Sequence, residues 1–415
     1  MKRNLKNRNG VKVLWVSHLV PYPPKGGVLQ RSFNLIKEVS KRHDIHIVAF
    51  NQAALSPSRR SLQEAISALS RYCCGLDVVP LPSDKHVMVR YWLILKSFVT
   101  PKPYTVNWNQ SRFMRRVLGE AVASFNPDLI HYDTIGLCEY SVGKGRTVHV
   151  LNHHNIESKM MMRRAGKEKN MLKKVYFYRE AKKIQNYEKK MCKLCDCNLT
   201  VSEDDLMALR EVVPESNAQV IPNGVDTSYF SPSGKCKNEN SLIFAGGMNW
   251  YPNKDAMLFF VKEIWPLLKM WRPAVKMTVI GQSPPKGLVE LSKRDPDFII
   301  TGYVDDVRPY FRDASIFVCP IRDGGGTRLK ILDALSAGIP VVATGTAAEG
   351  IEVTDKKNII IADDAVDITR KIISLLENKE LRMRLSWEGR RLVEERYEWS
   401  IIGQKLVDLY ISLVK

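Results

Sequence analysis

The sequence predicts an α/β protein built from two doubly wound parallel sheets, and three observations carry that prediction. Short apolar runs alternate with amphipathic stretches along nearly the whole chain, the pattern of parallel strands covered by helices on both faces. The alternation pauses once, over 226–240, where Pro, Gly and polar residues gather. The 415 residues exceed what one hydrophobic core serves and suit two or three. The expected organisation is a first Rossmann-like domain over 1–225, a linker over 226–240, a second Rossmann-like domain over 241–397, and a terminal helix over 398–415 that crosses back to the first.

Each element follows from local pattern. In the first domain the runs at 11–17 (VKVLWVS), 45–50 (IHIVAF), 78–81, 129–131, 148–152 and 197–201 are short, apolar and rich in branched residues, hence buried strands. Helices are expected at 29–42, 59–72, 112–125 and, as one long element, 156–194. In the second domain strands are expected at 242–245, 276–280, 298–300, 316–319, 341–343 and 358–361. Its helices are expected at 254–270, 288–293, 328–337, 367–376 and 380–396, with a terminal one at 401–413. In such sheets ligands bind beyond the carboxyl ends of the strands, so two facing domains can hold a ligand between them.

Composition bounds the function. With 45% hydrophobic and 26% charged residues the chain is globular, which excludes disordered and collagen-like classes. Sixty-three Lys and Arg against 44 Asp and Glu leave a formal charge of +19, a surplus that points to phosphates on nucleic acid, anionic lipid or substrate. No apolar run reaches the roughly 20 residues of a membrane span. Residues 1–20 imitate a signal peptide, but PYPPKGG follows in place of a small-residue cleavage site, so the reading is a basic tail before a buried strand. The eight cysteines are scattered; Cys192, Cys195 and Cys197 cluster without a second ligand pair, which fits a reducing cytoplasmic compartment and no metal.

Three places carry candidate chemistry. After the first strand, Lys25-Gly26-Gly27 opens a helix, where glycines let an anion approach backbone amides and the positive helix end. After the strand at 316–319, Gly324-Gly325-Gly326-Thr327 precedes a helix that begins with Arg328 and Lys330. Cations oppose the dipole at a helix N-terminus, and a phosphate held by both side chains would resolve that conflict. Asp333, later in that helix, can accept hydroxyl donors such as those of a ribose. At the end of the strand at 148–152 stands Asn152-His153-His154-Asn155-Ile156-Glu157, with its polar residues on the ligand-binding edge. Asp295-Pro296-Asp297 has a metal-binding pattern but precedes its strand, so it reads as a turn. The segment 159–193 carries thirteen Lys and Arg against three Glu, with aromatics interleaved, and 87–113 is similar. Both suit an interface with an anionic membrane, and equally an acidic acceptor or a solvated face. No nucleic-acid-binding motif accompanies the charge.

Taken together, PYPPKGG…RSFN, HNIES, VSEDD, IPNGVD, FAGGMNWYPNKDA, TGYVDDVRPYF and GGGTRLKILDALSAGIPVV make the chain resemble the retaining glycosyltransferases of family 4. It is most similar to their exopolysaccharide-associated members. The resemblance implies the GT-B fold of two facing Rossmann-like domains, the first binding acceptor and the second a nucleotide-diphosphate-sugar donor. It implies catalytic roles for His154, Arg328 and Lys330. It places Gly26, Gly27, Gly247, Lys254, Gly281, Val304, Gly325, Gly326, Thr327, Leu329 and Asp333 on the donor. It implies a glycan or lipid-linked acceptor, no metal or other cofactor, and a cytoplasmic protein peripheral at the inner face of the plasma membrane. The sequence departs from the family at the first Glu of E-x7-E, here Gly325, and at the second, here Asp333. The Arg and Lys that follow the first donor-domain strand in many members are replaced by Gly246-Gly247-Met248, with Lys254 nearby. A non-catalytic relative that binds a nucleotide sugar or glycan is the alternative these departures raise.

Overall fold

The computed structural model describes residues 10–52, 58–84, 87–140, 146–232 and 239–415. The chain forms two compact units: Met1–Pro222 together with Trp399–Lys415, and Asn223–Glu398.

The first unit contains strands β1 (Lys12–Ser17), β2 (Asp44–Asn51), β3 (Gly75–Pro80), β4 (Leu129–Tyr132), β5 (Val148–Asn152), β6 (Cys197–Thr200) and β7 (Ala218–Val220). They lie in the order β3-β2-β1-β4-β5-β6-β7, every pair parallel. The central strands β4 and β6 are buried throughout, which is why they read as unbroken apolar runs. The short edge strand β7 carries the sequence AQV and gave no apolar signal.

The expected helix at 156–194 is two, Glu157–Lys167 and Met171–Leu194. The break has a local cause: the Asn170 side chain accepts from the Lys173 amide at 3.1 Å and caps a new N-terminus. Helices Val87–Val99 and Tyr104–Trp108 fill the aromatic segment before Arg112–Phe125. The terminal helix Trp399–Val414 packs on Gly27–Val39 within this unit. Gly403 makes that crossing close, because a Cβ there would strike the Cβ of Glu38.

The second unit contains β8 (Ser241–Ala245), β9 (Lys276–Ile280), β10 (Phe298–Gly302), β11 (Ile316–Cys319), β12 (Val341–Ala343) and β13 (Ile360–Ile361). Their order is β10-β9-β8-β11-β12-β13, again all parallel. The expected helix at 254–270 begins at Tyr251 and widens into a π turn over Phe260–Ile264 before Trp265–Trp271. Pro266 lacks the amide a regular helix needs at this point, and the π turn absorbs the mismatch. Residues 226–230, expected as linker, belong to the second unit. Asp226 Oδ1 accepts from the amides of Ser228 at 3.1 Å and Tyr229 at 2.8 Å, a turn that seats Phe230 in the core. The rest of that expectation falls largely on 233–238, outside the described residues.

In each sheet the strand order reverses beside the first strand, between β1 and β4 and between β8 and β11. At such a switch point the loops leaving the two strands diverge and open a crevice. Each unit therefore has one topologically defined place for a ligand.

Candidate active site

At the switch point of the second unit the expected donor residues gather on loops that leave the strands. Gly247 and Lys254 follow β8, Gly281 follows β9, Val304 follows β10, and residues 325–333 follow β11. Gly281 has φ +155°, and a Cβ there would strike the carbonyl of Gly246, so the β8 and β9 loops touch backbone to backbone. Gly324 (φ +109°) and Gly326 (φ +74°) shape the β11 loop in conformations that disfavour other residues.

The two cations behave differently. Arg328 is 3% exposed and caps the helix Leu329–Ser336. Its guanidinium turns back on its own loop, donating to the carbonyls of Gly325 and Gly326, each at 2.5 Å, and to that of Asp323 at 3.4 Å. It also lies 5.6 Å from the Trp250 ring. Arg328 thus shapes the glycine loop.

Lys330 is part-buried, and its Nζ donates to Asn253 Oδ1 at 2.6 Å and lies 4.5 Å from the Phe244 ring. Asn253 in turn donates to the Gly247 carbonyl at 2.8 Å, so one amide ties the β8 loop to the β11 helix. Among the described residues no carboxylate lies within ion-pair distance of Lys330. Burial, with Arg328 nearby, pushes the Lys330 ammonium down to about 8, although Cys319 and, less strongly, Asp333 act the other way.

Leu329 is buried in the core, leaving its backbone amide at the helix start as its polar contribution. Thr327 Oγ1 donates to the Gly350 carbonyl at 3.5 Å. Val304 packs on the edge of the core, and Lys254 is exposed on the helix Tyr251–Phe259. The Asp295-Pro296-Asp297 turn is engaged structurally: Trp265 Nε1 donates to Asp295 at 2.9 Å and Lys269 to Asp297 at 2.8 Å. Among the described residues no group of three or more His, Cys, Asp or Glu is placed to hold a metal ion.

The first unit places its polar cluster at the corresponding point. Gly26, with φ +99° and open space where a Cβ would stand, precedes the helix that begins at Gly27. That helix buries Arg31 and Ser32 against the strand ends. At the centre is Asp133, directly after β4 and fully buried. Its Oδ2 accepts from Ser17 Oγ at 3.1 Å and Ser32 Oγ at 2.6 Å. Its Oδ1 accepts from Asn152 Nδ2 at 3.1 Å and lies 3.3 Å from His154 Nε2. Burial alone would raise this carboxyl, but His154 and His131 overcome it and hold Asp133 well below the usual range.

Arg31 donates to Asn152 Oδ1 at 2.9 Å and to the Pro222 carbonyl at 2.8 Å. Behind Asp133, His131 Nδ1 is 2.7 Å from the Tyr410 hydroxyl of the returning helix. Burial drives His18 and His153 down to about 4, so both imidazoles are neutral. His153 faces inward, 3.3 Å from Asn198 Oδ1, while His154 faces Asp133. Of the two histidines the motif offered, His154 is the one in the cluster.

The sequence reading missed Asp133, although it is a polar residue directly following a buried strand, the same signal that marked His154. The partnership of Asn253 with Lys330 had no signal, because it joins residues 77 positions apart.

Comparisons with known proteins identify the family and the fold. A model of glycosyltransferase family 4 covers residues 25–229, and one of glycosyl transferases group 1 covers 239–378. The chain belongs to glycosyltransferase family 4. An uncharacterized 44.6 kDa protein in the cps region of Klebsiella pneumoniae is 24% identical over 404 residues, 93% of this chain and 96% of that protein. The capsular polysaccharide biosynthesis glycosyltransferase CapM of Staphylococcus aureus is 26% identical over 148 residues, 34% of this chain and 39% of CapM. Sucrose-phosphate synthase from Thermosynechococcus elongatus superposes with a TM-score of 0.71 at 15% identity, covering 97% of this chain and 99% of that one. The fold is GT-B, and the chain is a glycosyltransferase with relatives linked to capsular polysaccharide.

Proposed function

We propose that this glycosyltransferase moves a sugar, with retention of configuration, from a nucleotide-diphosphate-sugar to a lipid-linked glycan acceptor at the inner face of the plasma membrane. The observation that carries the donor assignment is Lys330. It is a part-buried ammonium at a helix N-terminus and switch point, satisfied by a neutral amide and an aromatic face. A buried charge in such surroundings is costly, and a bound diphosphate supplies the missing counter-charge. The glycine loop that Arg328 holds in shape presents further amides to the same phosphates.

The chemistry follows from charge development. As the glycosidic bond to the diphosphate breaks, the sugar becomes oxocarbenium-like and negative charge grows on the leaving oxygen. Preorganised donors stabilise that charge without reorganising during the reaction. The acceptor hydroxyl attacks from the face the diphosphate leaves and passes its proton to the departing phosphate oxygen. Lys330 and the loop amides carry the charge in this scheme without a metal. His154, turned by Asp133, is the candidate contact to the transferred sugar, and Asp333 to the ribose hydroxyls.

A thermal-shift panel of UDP, GDP, ADP and CMP against wild type and an Arg328→Ala, Lys330→Ala double variant tests the assignment. One nucleotide should raise the wild-type melting temperature by several degrees and leave the variant unmoved. Turnover with the matching sugar nucleotide should persist in chelator and fall roughly 10²–10³-fold in Lys330→Ala. Equal shifts in wild type and variant would refute the site.

A further inference from the structure

Helix Val87–Val99 carries its apolar stripe on the outside. Leu93 and Ser97 face the protein, whereas Met88, Tyr91, Trp92, Leu95, Phe98 and Val99 are exposed, Met88 by 82% and Trp92 by 58%. Their spacing of three and four residues makes one continuous ridge, the face that a helix in a water-soluble protein ordinarily buries.

The neighbouring helix Met171–Leu194 extends the patch. It is fixed beside the ridge by Arg179, which donates to the Phe98 carbonyl at 3.4 Å and lies 5.7 Å from the Phe98 ring. Tyr176 meets the same ring at 5.2 Å. The first five residues of this helix, Met171 to Val175, are all exposed, so Lys173 and Lys174 stand among apolar side chains at its free end. Lys96 lies 5.1 Å from the Trp92 ring at the flank of the ridge.

Charge decides the occupant. Beside the ridge, Lys96 lies against Trp92 and Lys173 and Lys174 are exposed, while Arg90 is paired with Asp84 at 3.1 Å, so among the described residues the unpaired charge on this face is positive. A second copy of this surface would bring like charges together around any isologous contact. An anionic bilayer instead matches both components: Trp and Tyr suit the headgroup boundary, aliphatic residues enter just below it, and lysines lie against lipid phosphates.

We propose that the ridge of Val87–Val99 and the exposed start of Met171–Leu194 form a docking face for an anionic membrane. The proposal deepens the reading of a membrane-side acceptor and rests on it. Among the described residues no helix is long and apolar enough to cross a membrane, and this face would hold the protein on the surface.

Co-sedimentation with vesicles of equimolar phosphatidylcholine and phosphatidylglycerol, against phosphatidylcholine alone, tests it. Wild type should bind the anionic vesicles and largely ignore the neutral ones. Tyr91→Ser, Trp92→Ser, Leu95→Ser in one chain should weaken binding at least about tenfold, since three large side chains leave the boundary. Lys173→Ser, Lys174→Ser should weaken it about fivefold per lysine at low salt. Both variants should keep the wild-type nucleotide-induced thermal shift, which shows that they fold. Vesicle binding unchanged in the triple variant would overturn the proposal, as would equal binding to neutral vesicles. So would a wild-type dimer that the triple variant converts to monomer in light scattering. Vesicle binding that follows the ridge while no nucleotide shifts wild type would instead refute the donor reading and leave the docking face standing.

Discussion

The two units use the same strand order and put a buried charge at the same topological point, but they satisfy it differently. In the first unit the charge is negative and saturated: Asp133 accepts from Ser17, Ser32 and Asn152 and has His154 beside it. In the second it is positive and held by a neutral partner, Asn253. A saturated buried ion is part of the fold, because its desolvation is compensated before any ligand arrives. A buried ion held by an amide retains an unbalanced field, and that field is available to an anion. On the proposed function, the same place in the same architecture does two jobs, holding His154 beside Asp133 in one unit and offering Lys330 to a diphosphate in the other.

The comparison breaks most readily at Asp133. Asp133→Ala leaves Ser17, Ser32 and Asn152 without this acceptor and removes the largest charge that favours the buried Arg31 guanidinium. It should lower stability to urea by about 3–5 kcal/mol. A loss under 1 kcal/mol would mean that Asp133 is not the anchor described here.

Lys330 should give the opposite sign. Its ammonium loses solvation in the folded chain, so Lys330→Met should raise the stability of the ligand-free protein by about 1–2 kcal/mol while abolishing the nucleotide-induced thermal shift. A variant that is destabilised yet still binds nucleotide would reverse the roles assigned to the two units.

Much of this was legible in the sequence. The continuous apolar runs located twelve of the thirteen strands among the described residues, because strands covered on both faces leave no polar alternation. The exception, β7, is a three-residue edge strand whose pairing with β6 is decided by the sheet. Helix breaks were harder: the Asn170 cap and the Pro266 π turn each depend on one residue inside a periodic pattern. At the site, the conflict between Arg328, Lys330 and the helix dipole marked a loop that lies at the switch point of the second sheet. It did not separate their roles, since Arg328 folding back on Gly325 and Gly326 depends on loop geometry that appears only in three dimensions. The exposed ridge of Val87–Val99 was legible as an aromatic, basic segment, but which face it turned outward was not.

The central claim is that Lys330 awaits a diphosphate, and proton uptake on binding tests it most directly. With its folded value at about 8, Lys330 is mostly neutral at pH 8.5 in the free protein, and a bound diphosphate should restore its charge. Titration calorimetry of the selected nucleoside diphosphate at that pH, in two buffers of different ionisation enthalpy, should show uptake of roughly 0.7 proton per site. Affinity should fall about fivefold from pH 8 to 9, because only the charged lysine attracts the phosphates. Lys330→Met should show neither effect. Tight binding with no proton uptake in wild type would contradict the account and place the diphosphate elsewhere.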